Sequence, residues 1–192
     1  TINVVRKFYK LGSHIVFLSS NGVFGETDNN PVNSTIKLPI NEYGKQKSKV
    51  EEELMSLGDN MTIIRMTKII SVYTDFMKDW FEKLQNNISI EPYSNYYISP
   101  ISLKYVVSNI LNDNLFGIIH LSGQKKISYY DFAIEIAKKM NFSKKNIYSR
   151  ELREIDKKTK FYNINSSVLD MKETKKNFGI KPQSINSLLR DL

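Results

Sequence analysis

An apolar strand, a long loop, an amphipathic helix and a second apolar strand follow one another near the start of this chain, and this order constrains its fold more than any other feature. The strands read HIVFLS (14–19) and TIIRM (62–66), and the helix between them spans 43–57. A strand–helix–strand unit usually joins parallel strands. Short β-branched runs are typical of strands buried on both faces of such a sheet. The sequence therefore predicts an α/β fold with a parallel sheet.

The second half of the chain has shorter elements, which predict a smaller mixed α/β lobe. We assign 1–72 to the carboxyl-terminal half of a sheet domain and 73–192 to the lobe, with returns to the sheet near 98–122. The capping box Ser128–Tyr–Tyr–Asp131 opens one of the lobe helices. The remaining predictions are helices over 2–11, 76–84 and 103–111, strands over 88–90 and 117–122, and two short helices after about 166.

Composition excludes several classes of protein. The net charge is +8, but the lysines are scattered among acidic residues, as in AIEIAKKM, so we interpret them as solvated helix faces and expect no nucleic-acid partner. There is no cysteine, which is compatible with a cytoplasmic location, and no apolar run reaches membrane-spanning length. His14 and His120 lack ligand partners at useful spacing, so no metal site is predicted.

Tyr43 and Lys47 are the first candidates for chemistry. They are four residues apart and therefore share one helix face, which Val50 and Leu54 continue, so we expect that face to point toward the sheet. An ammonium one turn from a phenol stabilises the phenolate and makes the tyrosine a usable proton donor or acceptor. Ser20 directly follows the first strand, where ligands bind in open α/β sheets.

A Tyr-x-x-x-Lys spacing alone is a weak motif, but here it follows a strand that ends in Ser-Ser-x-x-Val-Phe-Gly. FLSSNGVFGE followed by NEYGKQK resembles the active-site segment of extended short-chain dehydrogenase/reductases that act on nucleotide sugars. GIIHLSGQKKISYYDFAIEIAKKM and SSVLDMKETKKNFGIKP resemble the substrate lobe of the dTDP-4-dehydrorhamnose reductase branch. The resemblance covers nearly the whole chain and implies a Rossmann-like sheet.

The resemblance also implies roles for individual residues. The family's catalytic serine or threonine, tyrosine and lysine correspond to Ser20, Tyr43 and Lys47. The cofactor would be NAD or NADP, and the substrate a nucleotide sugar. The residues expected at the cofactor are Ser19, Tyr43, Lys47, Met66 and Thr67. Those expected at the substrate are Ser20, Asn21, Gly22 and Trp80, although core packing is the main interpretation of Trp80.

The sequence departs from the family in three places. Asn21 and Gly22 stand where 4,6-dehydratases carry Asp and Glu, which disfavours a dehydratase, and the reductase branch itself usually has an acidic residue in place of Asn21. RMTKIISVY lacks the Pro and Tyr-Gly of typical epimerases. No glycine cluster resembles the family's phosphate-binding loop, so we expect an N-terminally truncated chain. The alternatives are an N-terminal half supplied by another chain and the loss of cofactor binding.

The main hypothesis is an NAD(P)-dependent nucleotide-sugar reductase. Two alternatives stay open. An epimerase would use the same three side chains to oxidise and re-reduce one carbon. A non-catalytic binding or regulatory subunit would use the fold without turnover, which the missing glycine loop favours and the presence of Ser20, Tyr43 and Lys47 disfavours. A homodimer is also compatible with the family.

Overall fold

A three-stranded parallel sheet forms the centre of the protein. The computed structural model describes residues 2–25, 30–111, 114–153 and 168–192. The strands are β1 (Ile15–Ser20), β2 (Met61–Met66) and β6 (Gly117–Leu121), in the order β1-β2-β6. Two small sheets accompany them. They pair β3 (Ile69–Ile70) in parallel with β5 (Ile101–Ser102), and β4 (Tyr97–Ile98) antiparallel to β7 (Ile127–Ser128).

The helices lie close to where the hydrophobic spacing predicts them. Some of them begin at a side-chain cap, as at Ser128, and some end at a left-handed residue, as at Gly179. The helices are α1 (Ile2–Lys10), α2 (Glu42–Leu57), α3 (Asp75–Gln85), α4 (Leu103–Ile110), α5 (Tyr129–Met140), α6 (Lys172–Phe178) and α7 (Ile185–Asp191). The predicted α/β class, with a parallel sheet and a smaller lobe, is confirmed.

The middle strand, β2, is buried along its whole length. Because side chains alternate across a strand, Ile63 and Ile64 point to opposite faces. Ile63 packs with Val50 and Leu54 of α2, whereas Ile64 packs with Val106 of α4. Helices therefore cover both faces of β2, and this explains why the run MTIIRM shows no polar–apolar alternation.

The prediction that the first strand is buried on both faces is wrong. Val16 and Leu18 are 44% and 43% exposed, whereas Phe17 packs against the cluster beneath α2. Within the described residues β1 pairs only with β2, so it is an edge strand, and no described helix buries the side that carries Val16 and Leu18.

The lobe has its own apolar core beside the sheet. Its centre includes Met77 and Trp80 of α3, Phe132 of α5 and Leu188 of α7. The predicted strand over 88–90 does not form. Only Ile90 makes a bridge, to Ile147, because the chain leaves α3 through Asn87 in the left-handed region and leaves Ile88 exposed.

His120 is the buried titratable group of β6. Its Nδ1–H donates to the carbonyl oxygen of Asp170 at 2.9 Å, and its Nε2 has no partner among the described residues. Burial is the main cause that lowers the pKa of His120 from 6.5 to about 4. The folded protein therefore holds a neutral imidazole in its core.

We expect His120 to make stability depend on pH. Between pH 6.5 and 4 the unfolded chain takes up a proton that the folded chain refuses, so stability falls as the pH falls, by about 3 kcal/mol in all. His120→Asn retains a donor for the Asp170 carbonyl but does not titrate, so the variant should lose that part of the slope. Urea unfolding at pH 7, 5 and 4 gives the unfolding free energy of the wild type and of His120→Asn. An equal decrease of that free energy with falling pH in both proteins would contradict the assignment.

Candidate active site

A cavity of about 650 Å³ opens where β1 and β2 end, between the sheet and the lobe. This is the edge at which open α/β sheets bind ligands, because loops diverge there and strand ends leave polar groups unpaired. Its lining is formed by Leu18, Ser19, Ser20, Asn21, Asn41, Tyr43, Lys47, Met66, Thr67, Lys68, Ile69, Tyr96, Ile98 and Tyr129.

The two serines at the end of β1 have different surroundings. Ser19 is buried and its hydroxyl donates to Glu51 at 2.5 Å. Ser20 caps a 3-10 turn (Asn21–Val23), where its Oγ accepts from the Gly22 N–H at 3.1 Å and donates to Asn21 at 3.3 Å. Side chains alternate along a strand, so the two hydroxyls point in different directions. Ser19 bonds to Glu51 of α2, whereas Ser20 has a hydroxyl proton at the cavity that can change its acceptor.

Tyr43 and Lys47 meet in the same cavity. The Lys47 ammonium lies 5.5 Å from the centre of the Tyr43 ring and donates to the Leu18 carbonyl at 2.7 Å. Burial lowers the pKa of Lys47, and the nearby Glu51 charge opposes that effect. Tyr43 is 55% exposed, because the first turn of α2 extends past the strand ends. The face of α2 that carries Tyr43, Lys47, Val50 and Leu54 therefore becomes buried against the sheet only from Val50 onward.

Gly44 lets the first turn of α2 approach the end of β1. Asn41 caps the helix by accepting from the Gly44 N–H at 2.8 Å. A Cβ at position 44 would lie far inside van der Waals contact with the Gly22 carbonyl oxygen and 3.0 Å from the Cβ of Pro39. The absence of a side chain there lets Tyr43 and Ser20 border one cavity.

A buried ion pair fixes α2 to the sheet behind the cavity. Arg65 and Glu51 have side chains only 2% and 0% exposed, and two guanidinium nitrogens of Arg65, Nε and Nη2, contact the carboxylate at 2.8 to 3.2 Å. Arg65 also donates to the Asn33 carbonyl and lies 4.9 Å from the centre of the Phe24 ring. Glu51 follows Lys47 by one helical turn, so the pair sets the position of the lysine.

The other predicted site residues divide into two groups. Asn21, Met66 and Thr67 line the cavity. Gly22 is buried in the 3-10 turn and does not line it. Trp80 lies in the lobe core, with edge contacts to Phe76 at 5.5 Å and Tyr129 at 6.3 Å, so it supports the cavity wall from behind.

Seven residues that line the cavity were not predicted as site residues, and four of these carry polar side chains, namely Asn41, Lys68, Tyr96 and Tyr129. Asn41 caps α2, and Tyr96 and Tyr129 stack on one another with ring centres 5.6 Å apart. Lys68 follows β2 by two residues and could have been found by the rule that ligands bind at strand ends. The tyrosine pair carried no such signal, because the contact joins residues 33 positions apart in sequence.

None of the described helices is long and apolar enough to cross a membrane. The same parts of the chain contain no group of three or more His, Cys, Asp or Glu side chains placed to hold a metal ion.

Comparison with known proteins decides the family. The family model described as the RmlD substrate binding domain matches residues 1–192. The chain belongs to this family. The resemblance to the dTDP-4-dehydrorhamnose reductase branch of nucleotide-sugar enzymes is thereby confirmed. No curated protein sequence matches the chain significantly.

Solved structures support the same fold. A dTDP-4-dehydrorhamnose reductase from Bacillus anthracis, in complex with NADP, matches with a TM-score of 0.80 and 19% identity over 94% of this chain and 65% of its own. A dTDP-4-dehydrorhamnose reductase from Clostridium acetobutylicum gives 0.81 and 21%, over 98% and 68%. A UDP-N-acetylglucosamine 4-epimerase from Methanobrevibacter ruminantium gives 0.70 and 18%, over 92% and 61%. The chain thus spans about two thirds of the length of these proteins.

We expect Gly44→Ala to displace the first turn of α2. Alanine favours helices, but its Cβ would collide with backbone at Gly22, so stability should fall by about 1–3 kcal/mol. Gln46→Ala, on the exposed side of the same helix, should change stability by less than about 0.5 kcal/mol. Urea unfolding of both variants measures this, and a stabilised Gly44→Ala would contradict the close approach.

We expect Arg65→Met to be far more damaging than loss of a surface arginine. The change leaves the Glu51 carboxylate buried without its main partner, which should cost about 3–5 kcal/mol. Arg6→Met removes the surface pair between Arg6 and Glu53 and should cost far less, because solvent screens an exposed ion pair. Equal losses in urea unfolding would refute the structural role of the buried pair. The double variant Glu51→Gln/Arg65→Met should be less unstable than the sum of its single variants.

Proposed function

We propose that this chain is the catalytic and substrate-binding part of an NAD(P)-dependent nucleotide-sugar reductase of the dTDP-4-dehydrorhamnose reductase type. The observation that carries the proposal is that Ser20, Tyr43 and Lys47 border one cavity at the carboxyl ends of parallel strands. In this proposal residues 1–72 serve the cofactor and residues 73–192 chiefly serve the substrate. The NADP complex of the similar Bacillus anthracis reductase supports the choice of cofactor class.

The side chains present fit the nicotinamide-ribose end of such a cofactor. Lys47 offers a partly desolvated ammonium at the cavity, and Tyr43 offers a hydroxyl beside it. Met66 and Thr67 add one apolar and one polar side chain where β2 ends. The glycine cluster that would approach the pyrophosphate is not among these 192 residues. NAD(P)H, when bound, supplies hydride for reduction of a carbonyl carbon.

The chain's own residues then handle the proton. Tyr43 donates its phenolic proton to the carbonyl oxygen, which completes the alcohol. Lys47, held by the Leu18 carbonyl, stabilises the resulting phenolate. Ser20 turns its hydroxyl from the long bond to Asn21 toward the same oxygen and fixes its position. The tyrosines Tyr96 and Tyr129 exclude water from one wall of the cavity.

We expect Tyr43→Phe to lower kcat by about 10²- to 10⁴-fold, because no other group on this wall supplies the proton in the proposed reaction. The assay follows NAD(P)H oxidation with a nucleotide-linked 4-keto sugar. Tyr148→Phe is the matched control, because Tyr148 is 57% exposed, close to the 55% of Tyr43, and does not line the cavity. Unchanged turnover in Tyr43→Phe would overturn the catalytic assignment.

The same assay separates the alternatives. A reductase consumes one NAD(P)H for each sugar reduced, whereas an epimerase interconverts sugars with no net consumption of NAD(P)H. A binding or regulatory subunit would show neither reaction, and Tyr43→Phe would leave its function intact.

A further inference from the structure

Lys68 extends from the end of β2 into the cavity that holds Ser20, Tyr43 and Lys47. Its ammonium lies 5.4 Å from the centre of the Phe76 ring. The residue remains accessible to solvent, yet its side chain is partly desolvated, and this burial lowers the pKa of Lys68. Nothing in the proposed reduction uses this lysine.

Lys68 differs from the lysines that form ion pairs with carboxylates of the protein. Lys37 contacts Glu51 and Glu52, and Lys83 contacts Asp79. No carboxylate in the described part of the chain lies within 4.0 Å of the Lys68 ammonium, and no described acceptor takes a hydrogen bond from it. Within the described residues the Lys68 ammonium faces the aromatic ring of Phe76, which attracts a cation but takes no conventional hydrogen bond from it.

The charge of the residues that line the cavity also favours an anionic ligand. Its lining contains two lysines and no aspartate or glutamate. One of the two, Lys47, already donates to the Leu18 carbonyl. The other polar lining groups are uncharged hydroxyls and amides, such as those of Thr67 and Asn41, which suit the hydroxyls of a sugar. A cavity of this kind favours a polyhydroxylated ligand that carries a negative charge.

We propose that Lys68 is a specificity-determining residue that binds an anionic oxygen group of the substrate in this cavity. The inference rests on the proposed function in one respect, since it takes the cavity as the substrate site. Two parts of a nucleotide sugar present that chemistry, namely the diphosphate and a carboxylate on the sugar ring. Binding of either supplies the hydrogen-bond acceptors and the opposite charge that Lys68 lacks.

Calorimetry on the full chain without NAD(P)H tests the proposal. The ligands are UDP, dTDP, UDP-glucose and UDP-glucuronate. Lys68→Met should weaken binding of the recognised anion by about 10- to 100-fold, which is typical of a lost hydrogen bond to a charged group. Lys68→Arg retains the charge and should keep most of the affinity. Lys139→Met is the control for the loss of one positive charge, because Lys139 is exposed on α5 and does not line the cavity.

The pattern of losses identifies the source of the anion. Equal weakening of all four ligands supports recognition of the diphosphate, and weakening confined to UDP-glucuronate supports recognition of a ring carboxylate. Equal affinities of the wild type and Lys68→Met for every ligand, or binding to neither protein, would overturn the proposal. Because no turnover is measured, weaker binding in Lys68→Met together with unchanged turnover in Tyr43→Phe would refute only the catalytic assignment. The reverse result would refute only the role of Lys68.

Discussion

The buried contact between Arg65 and Glu51 is the interaction on which the arrangement of this protein depends. It joins the central strand β2 to α2, the helix that carries Tyr43 and Lys47. The hydroxyl of Ser19, at the end of β1, donates a hydrogen bond to the same Glu51 carboxylate. Removing two charges from water is costly, and the cost is offset only when nearly every donor and acceptor is matched. The matching is close here, so α2 has little freedom to slide or rotate against the sheet. The positions of Tyr43 and Lys47 at the cavity therefore depend on this ion pair.

The candidate site combines rigid and exchangeable parts. Lys47 is held through a backbone carbonyl, and the first turn of α2 is held against the 3-10 turn by the missing side chain of Gly44. The Ser20 hydroxyl, by contrast, donates a long bond of 3.3 Å to Asn21, which it can exchange for a bond to another acceptor. A site that binds and releases ligands needs fixed positions for its charges and a hydroxyl that can change partners.

Periodicity and capping predicted most of the fold, because each depends on contacts within a few residues. The helix over 43–57 and the run TIIRM carry their own signals, and the structure has both. The exposure of Val16 and Leu18 was not predictable, because a strand's sequence does not state how many neighbours its sheet provides. The strand expected over 88–90 failed because a short apolar run needs a partner strand, and only Ile90 finds one. Of the candidate site, the side chains at strand ends and the Tyr43–Lys47 spacing were readable, whereas the wall formed by Tyr96 and Tyr129 depends on a contact between distant segments.

The position of Trp80 has a spectroscopic consequence. The chain contains a single tryptophan, and it lies in the lobe with its indole against Tyr129, which also stacks on Tyr96 at the cavity. Its emission therefore samples the environment directly behind one wall of the cavity and no part of the parallel sheet. The protein carries an intrinsic fluorophore one side chain away from the cavity, and the parallel sheet itself contributes no indole to the signal.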